Sequence, residues 1–135
     1  MTRINLVEPS ELADQHLVAE YREIFMIGSA LARSLKSKNW NKTLDTLPVE
    51  FTLNSGHVKF FYNKGKYIHK RYDSLVEEMK RRGMNPDPER KFKTFQWPDY
   101  LYRDWDPTDK DLELVRERIR ERIQAKPEWY RWSNK

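Results

Sequence analysis

The chain has 135 residues, no cysteine, and 26 Lys and Arg against 21 Asp and Glu, for a formal net charge of +5. That length suits one domain around one core, and the missing cysteines exclude disulfide scaffolds, thiolate metal sites and thiol nucleophiles. No apolar run approaches the roughly 20 residues that span a bilayer, and Met1 to Leu12 holds no signal-peptide core, so a cytoplasmic, intracellular protein without a membrane partner is expected.

The first predicted helix carries Leu17, Tyr21, Ile24, Gly28, Leu31 and Leu35 at three- and four-residue steps, an apolar stripe that starts behind a Ser10 N-cap. His16, Glu20, Glu23 and Ile27 form a shoulder beside that stripe, while Gln15 and Arg22 lie on the side away from it. Pro48 to Tyr62 is irregular, with a β-like run from Val58 to Tyr62 that lacks a partner strand. A second helix is expected from about Lys64 to Arg82, with Ile68, Tyr72, Leu75, Val76 and Met79 inward and Gly83 as its stop. Pro86, Pro88, Pro98 and Pro107 punctuate a long loop whose aromatics, Phe92 to Trp105, are expected to pack it onto the helices. The third helix starts at Thr108, spaced from Asp111 as in a capping box, and runs to Lys126-Pro127 behind Leu112, Val115, Ile119 and Ile123. The expected fold is all-α: three main helices in a single compact domain, with a long packed loop and an aromatic C-terminal tail.

Charge narrows the partner. From Lys64 to Lys93 there are ten Lys and Arg against five Asp and Glu. A basic face on an aromatic-rich domain suits a polyanion, and nucleic acid comes first. Lys64 and Arg71 belong to that face, although simple solvation of a charged helix face is the favoured reading for both. On the third helix Arg116 and Arg120 flank one side of the stripe and Arg118 and Arg122 the other. Four arginines there suit phosphates, or else pair internally as Glu113–Arg116, Glu117–Arg120 and Arg118–Glu121. Trp129, Tyr130, Arg131 and Trp132 suit base stacking, or a tail clamped to the core, the reading favoured for Trp129.

Familiar cofactor chemistries find no foothold. The four glycines are scattered, the three histidines lack metal-ligand spacing, and no serine sits in a nucleophile elbow. Neither metal nor cofactor is expected. The start, Met1-Thr2-Arg3, offers a different nucleophile. Methionine before threonine is normally trimmed, leaving an α-amine with a reference pKa of about 7.7–8.0, of which roughly a tenth is neutral near pH 7. On one helix edge, His16, Glu20 and Glu23 could do acid–base work, but spacing alone favours an ordinary solvated face.

The runs Met1-Thr2-Arg3-Ile4-Asn5-Leu6, Glu11-Leu12-Ala13-Asp14-Gln15-His16-Leu17 and Ala19-Glu20-Tyr21-Arg22-Glu23 closely resemble the pyrimidine-dimer DNA glycosylases of phages and algal viruses, the phage endonuclease V family. The resemblance continues through Gly56-His57-Val58, Phe60-Phe61-Tyr62, Lys64, Lys70-Arg71 and Lys126-Pro127 to Trp129-Tyr130, and is weakest from Pro86 to Pro107. It implies a mostly helical repair enzyme acting on double-stranded DNA as a monomer. Such an enzyme cuts the N-glycosidic bond of the 5′ pyrimidine of a dimer, then breaks the strand by β-elimination at the abasic sugar. By the same resemblance Thr2 and Glu23 are catalytic, and Arg3, Gln15, His16, Tyr21 and Arg22 line the DNA-facing site. Arg118, Arg122 and the Trp129, Tyr130 and Arg131 tail add DNA contacts. Where the phage enzyme has an arginine three residues after the glutamate, this chain has Met26. The alternative is a damaged-DNA-binding protein of the same fold that is catalytically silent or differently specific.

Overall fold

The computed structural model of the chain describes residues 3–135. They form an all-α fold of six α-helices: α1 Asp14–Glu23, α2 Phe25–Leu35, α3 Trp40–Asp45, α4 His57–Phe60, α5 Gly65–Arg81 and α6 Asp109–Ala125. Short 3₁₀ turns at Pro9–Glu11, Thr94–Gln96 and Asp99–Leu101 punctuate the connections. No helix among the described residues is long and apolar enough to cross a membrane.

The expected first helix is two. Ser10 falls inside a 3₁₀ turn instead of capping it, and α1 begins behind Ala13. The helix then breaks at Ile24, where Arg90 donates to the carbonyls of Tyr21 and Arg22 at 2.6 and 3.0 Å. Those bonds satisfy the last carbonyls of α1, and the Arg90 guanidinium lies 4.0 Å above the Phe25 ring and 4.4 Å above that of Tyr21. The strap from Pro86 to Arg90 thus fixes the bend directly beside Glu23.

Helix α5 ends as its sequence demands. Gly83 takes φ +81°, and Gly83 and Met84 donate back to Lys80 and Met79 at 3.0 and 2.9 Å, the paired bonds of a Schellman stop. Its start is pressed against the loop: a Cβ on Gly65 would stand 2.6 Å from the Trp97 ring, so only glycine lets α5 approach so closely. Helix α6 opens on the expected capping box, with Thr108 and Asp111 bonded reciprocally.

The run Val58 to Tyr62 makes the turn of α4, not a strand. Phe60 and Phe61 are both buried, packed edge-on against Phe51 and Trp105, and consecutive inward residues suit a short helical turn better than an alternating strand. The core gathers α1, α2 and α5 around Leu17, Ile24, Ile27, Leu31, Ile68 and Leu75, all fully buried. The long loop packs only in part: Trp97 is buried, whereas Phe95 and Tyr100 point into solvent. On α6 only Val115 is buried, while Leu112 and Ile119 pack partly against the core.

Candidate active site

Between α1 and α6 lies a cleft of about 340 Å³. Helix α1 contributes Gln15, His16, Ala19, Glu20 and Glu23 to its wall, and α6 contributes Val115, Arg118, Ile119 and Arg122. Arg3 and Asn5 enter from the N-terminal segment, Leu53 from the loop before α4, and Trp129 and Tyr130 from the tail. His16 and Glu23 recur on one face because their spacing of seven residues is close to two helical turns, and Gln15 stands beside them.

The tail reaches the cleft through polar bonds. The Gln15 side-chain amide donates to the Trp129 carbonyl at 2.5 Å and accepts from the Arg131 N–H at 3.1 Å. It therefore brackets Tyr130, whose ring stacks on His16 with centroids 4.7 Å apart. Asp14 completes the latch, donating its N–H to the Arg131 carbonyl at 2.6 Å and accepting from Ser133. Trp129 itself is 62% exposed at the cleft rim, so the clamp runs through its backbone and leaves its ring open.

Electrostatically the cleft is prepared for an anion. Burial, and then repulsion from Arg118 and Arg122, pull the Arg3 guanidinium below its ordinary pKa. The internal pairs expected on α6 are not formed. Arg116 instead pairs with Glu11 and Arg120 with Glu113, each at 3.0 Å, while neither Arg118 nor Arg122 has an ion-pair partner among the described residues. Glu20 does not neutralise them, because its carboxylate is spent on Arg71 at 2.6 Å. Three repelling guanidiniums in one cleft are relieved by a phosphate. Beside them, burial and the charge of Arg122 hold His16 below the ordinary imidazole range, against the opposing pull of Glu20. Its Nδ1 is buried with no hydrogen-bond partner among the described residues.

Of the residues singled out from the sequence, Arg3, Gln15, His16, Glu23, Arg118, Arg122, Trp129 and Tyr130 meet at this cleft. Thr2 lies outside the described residues. Arg22 is exposed but off the cleft wall, and Arg131 adjoins the site through its backbone. Three expectations are corrected. Arg71 is no DNA contact: its side chain is 5% exposed and sealed against Glu20 and the Val7 carbonyl. Tyr21 is buried, its hydroxyl accepting from the Asp87 N–H at 3.0 Å on the side of the strap. Lys64 turns inward, donating to the Phe60 carbonyl and Asn63 Oδ1 at 2.9 Å, and burial pushes its amine down to about 8. Sequence reasoning missed Asn5, Leu53, Val115 and Ile119 as cleft walls, and saw Glu20 as a helix shoulder open to acid–base work, not as the partner of Arg71. Its pairing with a residue 51 positions away leaves no periodic trace.

If Arg118 and Arg122 hold phosphates, changing both to Ala lowers the slope of log affinity against log salt for duplex DNA by about two, one for each phosphate no longer neutralised. Titrations at several salt concentrations measure this, and an unchanged slope removes both residues from the interface.

A known protein family matches most of the chain. The family model described as pyrimidine dimer DNA glycosylase matches residues 1–92, which carry the N-terminal segment, all of α1 to α5 and the carboxylate at Glu23. The chain belongs to the pyrimidine dimer DNA glycosylase family of DNA-repair enzymes.

Proposed function

We propose that the protein is a DNA glycosylase for cyclobutane pyrimidine dimers that also nicks the strand as an abasic-site lyase, with the Thr2 α-amine as nucleophile and Glu23 as the acting carboxylate. The observation that carries this reading is that Arg3, directly after Thr2, and Glu23 line the same cleft. The amine attacks the anomeric carbon of the 5′ pyrimidine nucleotide and the glycosidic bond breaks. Glu23 stabilises the cationic sugar as that bond lengthens and passes protons as the ring opens to an imine. Loss of a C2′ proton then expels the 3′ phosphate, and water releases the enzyme from the imine.

The surroundings serve that chemistry. Arg3, Arg118 and Arg122 hold the phosphates beside the lesion. The open Trp129 ring stacks on an exposed base. Extruding a nucleotide and bending the duplex cost least where a lesion has already weakened stacking. The protein acts as a single-domain monomer, and Gln15 serves by holding the tail instead of touching DNA.

Borohydride reduction tests the reading. Mixed with a duplex carrying one pyrimidine dimer, the Met-trimmed protein should become covalently attached to the strand, because the imine is reduced in place. A nicked strand without a trapped complex, or no reaction at all, contradicts it.

A further inference from the structure

The Glu20–Arg71 pair lies at the floor of the cleft, with side chains 0 and 5% exposed. Two buried charges are seldom needed for stability, since apolar residues of similar volume hold a fold equally well. Their remaining bonds go to the N-terminal segment. Glu20 Oε1 accepts the Asn5 N–H at 3.1 Å, and Arg71 Nη1 donates to the Val7 carbonyl at 2.6 Å. From α4, His57 joins them. Its Nδ1–H donates to the Thr52 carbonyl at 2.8 Å, which leaves Nε2 to accept the Ile4 N–H at 2.9 Å. Arg3 is tied through its guanidinium to the Leu53 carbonyl.

Residues 3–7 are therefore gripped from α1, α4, α5 and the loop before α4. Between the grips the backbone folds sharply, with Leu6 at φ +57° and Val7 donating to the Asn5 carbonyl at 2.5 Å. A leucine keeps that left-handed conformation only where its surroundings impose it. The hydrogen bonds of Glu20 and Arg71 run to each other and to this segment, and His57 reaches it through Nε2. All of them act on the few residues that follow Thr2.

We propose that Glu20, Arg71 and His57 are positioning residues that form a rack for the N-terminal amine, an inference that rests on Thr2 being the nucleophile. One residue separates the gripped Arg3 from the end of the trimmed chain, a span of about 3.8 Å. Fixing residues 3–5 therefore sets where the amine stands against the anomeric carbon, and a misplacement of about 1 Å costs roughly a hundredfold in rate.

The test uses the full trimmed chain and a duplex with one preformed abasic site, which bypasses base removal. Borohydride trapping rate, affinity for that duplex and thermal melting are measured together. The paired change Glu20→Leu with Arg71→Met removes both charges at once and leaves neither stranded. It is expected to trap at least about tenfold more slowly, with affinity within twofold and melting within a few degrees of the original. His57→Leu should slow trapping similarly. His57→Gln, whose carbonyl can accept the Ile4 N–H, should restore it to within about threefold. Trapping at the original rate in the paired variant overturns the rack, as does a slowing that merely follows weaker binding or lower melting. If the paired variant does not fold, equal trapping by His57→Leu and His57→Gln overturns it. Absence of trapping by the unaltered protein overturns the nucleophile reading itself, and the rack with it.

Discussion

Glu23→Gln is expected to lower single-turnover nicking of a dimer-containing duplex by at least about a hundredfold, while affinity for that duplex stays within a few-fold. The change keeps the shape of the side chain and removes its charge and its proton capacity, and a positioned acid–base group contributes about 10²–10⁴ in rate. Binding survives because Arg3, Arg118 and Arg122 supply the attraction for phosphate, and removing a carboxylate beside them makes the cleft more positive. Nor should the backbone move. Glu23 ends α1 at a bend fixed by Arg90 through the Tyr21 and Arg22 carbonyls, and those bonds do not involve the Glu23 side chain. Rapid-quench nicking assays beside equilibrium binding measure both quantities. Nicking within threefold of the original assigns the proton work elsewhere.

The second large effect concerns the amine. One alanine placed ahead of Thr2 should abolish borohydride trapping and slow strand cleavage at least about a hundredfold, with DNA affinity unchanged. The extended chain still ends in an α-amine of ordinary basicity, so the loss is one of position. The amine is carried about 3.8 Å further from the gripped Arg3, beyond the roughly 1 Å tolerance of a near-attack geometry. Thr2→Ser, which keeps the amine in register, should trap at close to the original rate. Equal trapping by the extended chain would contradict the need for an amine in register at Thr2.

Local signals carried over from sequence to fold where their cause is local. The capping box at Thr108 and Asp111 and the Gly83 stop depend on residues within one helical turn, and both helix ends lie where those signals put them. The break at Ile24 has its cause far along the chain, in Arg90 reaching across from the strap, so the stripe from Leu17 to Leu35 reads as one helix. The aromatic run before Lys64 mimics a strand because Phe60, Phe61 and Tyr62 are all buried, against distant partners that include Phe51 and Trp105.

The candidate site divides in the same way. His16 and Glu23 share a helix edge by spacing alone, and their convergence follows from α1. Joining that edge to the tail depends on the Gln15 and Asp14 bonds to residues 129–133, and joining it to Arg118 and Arg122 depends on where α6 packs, neither of which periodicity announces. Basic residues were harder still. Arg71 and Arg118 look alike in composition, yet one is sealed against Glu20 and the other faces the cleft. The family match ends at residue 92, so Arg118 and Arg122 of the cationic wall come from beyond it.

Locating the covalent bond in the reduced complex tests the central claim most directly. After borohydride trapping on dimer-containing DNA, digestion and mass spectrometry should find the sugar remnant on the α-amine of the peptide beginning at Thr2. The competitor is a lysine side chain, since any neutral amine that reaches the sugar carbon can form an imine. A remnant on any lysine contradicts the account.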